Sequence, residues 1–373
     1  MEDVISLNGN LAGSSNGFHL PSKIAAVSTH RQMRGVAIVG LGYWGPNWVR
    51  NFSQARGIER VVCCDSSRER LEHIKSSYPS VVVTEKLDQV LSDPKVDAVV
   101  VATPVNTHFE IASRSLKAGK ATLVEKPIAT SCQQAEVLIR MARERDLTLM
   151  SGHTFEYSAP VMKIRELIDS GDLGEVLYIS SVRANLGVFR RDVNVAWDLA
   201  THDISIILML LGEMPIEVSC QGESHYHDRV EDVARLTLHF ANNVSAFVHV
   251  SWLDPNKIRQ TTIVGSRKML VYDDTAPQEK VRVYDKGVTK HPHCDTLGDF
   301  QISYRNGDVN IPRIAESEPL KVECEHFVDC VQRGISPNSD GHSGLRVVKV
   351  LEAADRSLKN HGQPMPIAPS LRI

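Results

Sequence analysis

The sequence predicts an α/β protein: a parallel-sheet domain followed by an α+β domain built on one large open, mostly antiparallel sheet. Three observations lead there. Between residues 35 and 152, short apolar runs alternate with amphipathic stretches of helical length; after residue 153 the rhythm shifts to closely spaced alternating segments; residues 1–34 show neither pattern.

The elements follow in order. "NGNLAGSSNG" is a Gly/Ser/Asn stretch that cannot bury enough surface to order itself, so residues 1–34 are expected to be a flexible N-terminal extension. "GVAIVG" is a short apolar strand, "WGPNWVRNFSQA" a helix and "ERVVCCD" a second strand; "RERLEHIKSSY" is a helix and "VDAVVVATP" a continuous apolar strand. "HFEIASRSLKAG" is a helix closed by Gly119, "ATLVEKP" a strand stopped by Pro127, "CQQAEVLIRMARERD" a helix and "LTLMSG" the last strand of the series. Strands of this kind alternating with helices imply βαβ units, and uninterrupted apolar runs suit strands covered on both faces. Beyond residue 153, "APVMKIRELIDSG" is amphipathic, "EVLYISSVRAN" strand-like, and "WDLATHDISIILMLLG" a helix over 197–211. Residues 216–285 read as an antiparallel meander, 288–317 as a long surface loop, and about 320–333 and 342–358 as closing helices.

Apolar residues are 42% and charged residues 23% of 373, with a net charge of −3. That balance is ordinary for a globular chain and gives no basic excess for nucleic acid. The 7 cysteines form no C-x-x-C pair, so reduced thiols in a cytoplasmic protein are expected, without disulfides or a zinc site. "HPHCD" (291–295) has metal-binding residue types but lies in irregular chain with no partner cluster, and no metal is expected. No run is long enough for a membrane span, and the N-terminus lacks the basic-then-apolar pattern of a secretory signal.

"GLGYWG" places Gly40, Gly42 and Gly45 in G-x-G-x-x-G spacing, after a strand and at the start of a helix. That context makes it a dinucleotide loop: a tight turn, a close approach of backbone to pyrophosphate, and close packing of helix on strand. The helix N-terminus offers unpaired N–H groups to phosphate. Tyr43 and Trp44, inside the loop, pack either on cofactor or substrate or into the core. Asp65 ends the second strand, where an acid accepts from the ribose hydroxyls and favours NAD over NADP; Ser66, Ser67 and Arg68 leave NADP open. Residues 35–152 are therefore read as a Rossmann NAD(P)-binding domain. Ligands sit outside the carboxyl ends of such strands, which brings Thr103, Pro104, Asn106 and His108 of "ATPVNTH" towards the cofactor. These residues also suit a turn and a helix cap.

Together with "VEKPIA" (124–129) and the Asp-x-x-x-His of Asp198 and His202, these motifs resemble the glucose–fructose oxidoreductase / inositol dehydrogenase (Gfo/Idh/MocA) family. The resemblance covers nearly the whole chain after residue 34. It implies an NAD-dependent sugar dehydrogenase, with residues 153–373 as a substrate-binding and oligomerisation domain and a homodimer or homotetramer formed through its sheet. It further implies that Lys126, Asp198 and His202 are catalytic, and that Glu125 lies close to the nicotinamide ribose along with Lys126. "GHTFEYSAPVMKIRELIDSGDLGEVLYI" is most similar to the branch acting on nucleotide-linked or amino sugars. A ketosugar reductase and a non-catalytic NAD-binding regulator are the alternatives.

Residues four apart share a helix face, so Asp198 is expected beside His202, holding its ring and supporting charge upon it. Oxidising an alcohol takes a hydride from carbon and a proton from oxygen, and histidine suits the proton. Lys126 can stabilise developing alkoxide charge, or carry the proton itself if burial lowers its pKa. His153, Tyr157, Arg183 and Asn185 are candidate substrate contacts, and Arg190 and Arg191 suit sugar hydroxyls or a diphosphate.

Overall fold

The protein is seen in a computed structural model that describes residues 33–290 and 302–367. Residues 1–32 of the expected N-terminal extension and "HPHCD" fall outside the described residues, whereas Met33 and Arg34 already belong to the fold: Met33 is buried in the core and Arg34 N donates to Asp97 Oδ2 at 2.7 Å.

The first half is a doubly wound parallel sheet. Its elements are β1 (Gly35–Val39), α1 (Gly45–Gln54), β2 (Arg60–Cys64), α2 (Arg68–Ser77), β3 (Val82–Thr84), α3 (Leu87–Ser92), β4 (Ala98–Val101), α4 (His108–Lys117), β5 (Ala121–Glu125), α5 (Cys132–Glu144) and β6 (Leu149–Gly152). Six strands run in the order β3-β2-β1-β4-β5-β6, all pairs parallel. The order reverses beside β1, so β1 and β4 open the crevice where such sheets bind ligands. Every residue of β1, β4, β5 and β6 is buried, the property that makes these strands continuous apolar runs.

A 3-10 turn (Thr154–Tyr157) leads into α6 (Ala159–Asp169), β7 (Val176–Ala184), α7 (Thr201–Leu211), β8 (Glu217–Glu223), β9 (Val233–His239), β10 (Ser245–Ser251), β11 (Ile258–Gly265), β12 (Met269–Asp273), β13 (Val281–Lys290), β14 (Ile302–Asn310), α8 (Pro319–Arg333), α9 (Gly341–Lys359) and β15 (Met365–Pro366). Nine strands form one open sheet in the order β14-β13-β12-β11-β7-β10-β9-β8-β15. The simple meander expected for 216–285 is interrupted: β7 inserts between β10 and β11 and pairs parallel with β10. The expected loop over 288–317 contains most of a strand pair, since β14 is antiparallel to β13.

The chain returns to the first sheet at its end. Leu320, Cys324, Phe327 and Val331 of α8 join the core beneath α1, with the Phe52 and Phe327 rings edge-on at 6.4 Å. The two halves thus share buried apolar surface, which fixes the cleft between them.

Candidate active site

The glycine loop is built as its spacing requires. Gly40 has φ +97°, and a Cβ there would lie 2.6 Å from the Ala102 carbonyl. A Cβ on Gly45 would collide with the Gly40 carbonyl, whereas one on Gly42 would meet nothing within 4 Å. The turn is therefore closed at its two ends and open over Gly42, a cradle of the shape a pyrophosphate fills. Trp44 precedes α1 without offering a side-chain cap; Pro46 has no N–H and Asn47 N donates to the Trp44 carbonyl at 3.0 Å, so at this helix start it is Gly45 N that is placed to meet a phosphate oxygen. These residues fit a dinucleotide. Tyr43 is 86% and Trp44 39% exposed, packed edge-on to each other, which excludes the core alternative for both.

Asp65 is buried at the end of β2, with a second duty. Its Oδ2 accepts from Leu41 N at 2.6 Å and its Oδ1 from Ser67 N at 2.8 Å, while Arg70 Nη1 lies 3.6 Å away. It ties the glycine loop to the β2–α2 turn, and each oxygen retains a lone pair for a ribose hydroxyl. Thr103 sits against Gly40, its Oγ1 accepting from Thr107 Oγ1 at 2.7 Å, and Pro104 and Asn106 are exposed beside it.

His108 departs from expectation. It is buried, with Nδ1 2.9 Å from the Pro127 carbonyl and Nε2 2.9 Å from the Thr103 carbonyl. Burial lowers its pKa. The ring braces the turn after β4 against the turn after β5 rather than reaching the cofactor face.

Glu125 is also buried. Its Oε1 accepts from Trp48 Nε1 at 2.8 Å and its Oε2 from Lys126 N at 3.1 Å. Desolvation pushes its pKa up, opposed by those two donors and the Lys126 charge. Trp48, from α1, is a partner that sequence reasoning missed; an apolar helix position gave no sign that its indole N–H would find a carboxylate.

Lys126 follows β5, at a cis peptide bond to Pro127. Its Nζ donates to the Asp198 main-chain carbonyl at 2.8 Å and lies 3.5 Å from Asp198 Oδ1. Asp198 Oδ2 accepts from Trp252 Nε1 at 3.1 Å, and Arg190 Nη1 reaches Oδ1 at 3.4 Å. Phe189 packs against Trp252 and Tyr226, extending an aromatic wall from Asp198 towards solvent.

His202 is close to this group but is not held by Asp198. Residues Ala196–Ala200 form a π-turn before α7, which lengthens the turn and removes the i, i+4 alignment. Among the described residues no hydrogen bond joins the two side chains, and His202 Nδ1 is buried without a partner. The residue as a whole keeps partial exposure. Burial, then the charges of Lys126, Arg183 and Arg259, holds the His202 pKa well below the ordinary imidazole value. The ring is neutral at pH 7.

The expected substrate contacts divide. His153 is buried with Nε2 3.1 Å from Ser151 Oγ, and burial lowers its pKa to about 3. Tyr157 is buried with its hydroxyl 3.0 Å from Ser339 Oγ, which commits it to packing the 3-10 turn. Arg183 is 4% exposed and paired with Asp203, Nε to Oδ2 at 2.6 Å, so it too is withdrawn from substrate. Asn185 stays partly exposed at the end of β7, and Arg191 is exposed. Among the described residues there is no cluster able to hold a metal ion, and no helix is long and apolar enough to cross a membrane.

Comparison with known proteins agrees with this architecture. UDP-N-acetylglucosamine 3-dehydrogenase of Acidithiobacillus ferrooxidans is 24% identical over 329 residues, covering 83% of this chain and 93% of that protein. Inositol 2-dehydrogenase of Rhizobium meliloti is 24% identical over 341 residues, 87% of this chain and 97% of its own length. The solved structure of the former superposes with a TM-score of 0.72 at 22% identity over 88% of this chain and 99% of that one. That of a levoglucosan dehydrogenase, complexed with NADH and levoglucosan, superposes with a TM-score of 0.76 at 17% identity over 90% and 100%. Residues 34–153 match the oxidoreductase family with the NAD-binding Rossmann fold, and residues 161–271 match the GFO/IDH/MocA C-terminal domain. The chain is a member of the Gfo/Idh/MocA oxidoreductase family and carries its NAD-binding domain.

Proposed function

We propose that this oxidoreductase transfers a hydride between a secondary hydroxyl of a sugar, nucleotide-linked or amino-substituted, and NAD. The observation that carries the reading is the placing of an ammonium, Lys126, on the Asp198 carbonyl beside a neutral imidazole, His202. NAD, when bound, supplies the hydride acceptor. The chain's own task is the oxygen. Lys126 donates a hydrogen bond to it and stabilises developing alkoxide charge. His202 accepts its proton as the carbon gives up hydride, so that the alcohol becomes a carbonyl. Asp198 steadies Lys126 rather than His202.

Arg190, anchored beside Asp198, and exposed Arg191 suit the phosphates of a nucleotide sugar. The UDP-N-acetylglucosamine dehydrogenase relative supports the same class. NAD is preferred over NADP because Asp65 sets a carboxylate at the ribose. The subunits pair through the outer face of the nine-stranded sheet, where Tyr178 and Phe247 are exposed.

The test is incubation with NAD and a panel of UDP- and dTDP-sugars and inositols, followed by NADH absorbance. NADH formed with a nucleotide sugar supports the reading; turnover confined to free polyols overturns the substrate class.

A further inference from the structure

His202 needs an orientation that no hydrogen bond supplies. Its Nδ1 is buried and unpartnered, and the Asp198 carboxylate is occupied by Trp252, Arg190 and Lys126. Packing takes over. The Phe155 ring meets the His202 ring edge-on, centroids 4.9 Å apart at 65°. On Phe155 also lies Arg183, its guanidinium carbon 4.7 Å from the ring centroid. Arg183 is fixed in turn: Nε donates to Asp203 Oδ2 at 2.6 Å and Nη2 to Oδ1 at 3.4 Å. Ser181 Oγ donates to Asp203 Oδ1 at 2.6 Å and lies 3.1 Å from Thr261 Oγ1.

Three elements converge here: the 3-10 turn with Phe155, β7 with Ser181 and Arg183, and α7 with His202 and Asp203. Arg183 and Asp203 are 4% and 3% exposed. A buried ion pair is seldom the most stable filling of such a space, since apolar side chains avoid the desolvation cost. Its presence one residue from His202 points to geometry rather than stability.

We infer that Phe155, Arg183 and Asp203 are positioning residues for His202: Asp203 clamps the guanidinium, the guanidinium pins Phe155, and Phe155 sets the tilt of the imidazole. This rests on the reading of His202 as proton acceptor, but its test does not need a substrate. The charged and titratable groups facing the ring are Lys126 after β5, His153 after β6, Arg183 on β7 and Arg259 on β11.

The experiment is an NMR titration of the histidine ring signals in the whole protein, with the His202 signal assigned by its loss in His202→Gln. In the wild type His202 stays neutral well below about 6.5, the ordinary imidazole value. Phe155→Leu leaves the Arg183–Asp203 pair intact and frees the ring; the His202 midpoint rises towards about 6.5, with NAD affinity unchanged. Phe155→Tyr keeps a ring against both neighbours and restores the wild-type midpoint. An unmoved midpoint in folded, NAD-binding Phe155→Leu overturns the inference. If that variant does not fold, Arg183→Lys, which keeps the charge but loses the planar stack, is read in the same way. A midpoint that moves while kcat on a turned-over sugar does not would remove His202 as the proton acceptor and leave the positioning intact. Where both hold, kcat falls at least about tenfold with KM little changed.

Discussion

Lys126 Nζ and the main-chain carbonyl of Asp198 are joined by a hydrogen bond of 2.8 Å. It spans the cleft from the end of β5 to the π-turn before α7, so the ammonium is oriented by the second domain while its backbone belongs to the first. Lys126→Ala is therefore expected to lower kcat by about 10²–10⁴ through loss of charge stabilisation at the substrate oxygen. If the glycine loop and Asp65 hold NAD as proposed, its affinity should stay near wild type in a fluorescence titration. A loss shared equally between NAD affinity and kcat would place Lys126 on the cofactor instead.

Asp198→Asn is expected to act through Lys126. Because the carboxylate touches Lys126, Arg190 and Trp252 and not His202, the His202 titration midpoint should not shift by more than about a few tenths of a unit. The rate should still fall, by about tenfold. Kinetics paired with the histidine NMR titration separate the two effects; a large change at His202 would revive the direct pairing.

The pH profile follows from the neutral imidazole. Burial and neighbouring cations hold its pKa well below the ordinary value. The base stays unprotonated, and kcat/KM stays level, as pH falls through about 6.5. A profile losing activity with a midpoint near that value would show an ordinary histidine as the essential base.

Two buried groups give opposite stability trends. His153 has its pKa lowered to about 3 in the folded state, so between there and about 6.5 the unfolded chain binds the extra proton and stability drops as pH falls. Glu156 has its pKa raised by burial from 4.5 to about 8. Its contribution is fully present below 4.5 and lost as pH rises towards 8. Glu156→Gln should thus stabilise the protein at pH 7 by roughly 1–3 kcal/mol, with little gain in mild acid. Urea denaturation at both pH values measures this; equal effects at both would show that Glu156 is charged in the fold.

Pairing through the nine-stranded sheet predicts a dimer or tetramer by light scattering at micromolar concentration. Tyr178 and Phe247 lie 6.2 Å apart, edge to face, on its outer side. Replacing Phe247 with Asp should dissociate the assembly, because burying an unpaired charge in that face is costly. A wild-type monomer would contradict the pairing.

The Rossmann half was legible because β1, β4, β5 and β6 are buried along their whole length and must be apolar. β3 was missed: its three residues are exposed or half-buried and give no run to detect. The place of β7 between β10 and β11 was not legible, since strand pairing at long range leaves no local mark. β14 was read as loop because "ISYRNGDVN" is mostly polar and its described side chains are exposed. Lys126, Asp198 and His202 came into one neighbourhood as their motifs implied. The expected contact between Asp198 and His202 failed on one local feature, the π-turn over Ala196–Ala200, which an i, i+4 count cannot see. Phe155 and Trp252 were invisible as site residues, for an aromatic beside an active site has the same sequence appearance as one in the core.

We propose that Lys126 and His202 jointly handle one substrate oxygen during NAD-dependent oxidation of a sugar. The most direct measurement is single-turnover NADH formation on a sugar the wild type accepts, compared among wild type, Lys126→Ala, His202→Ala and the double variant, all saturated with NAD. Joint action on one oxygen predicts a strong loss in each single variant and a double loss well short of their product, because both serve one step. Near-normal NADH formation in His202→Ala, or single losses that multiply in the double variant, would contradict it.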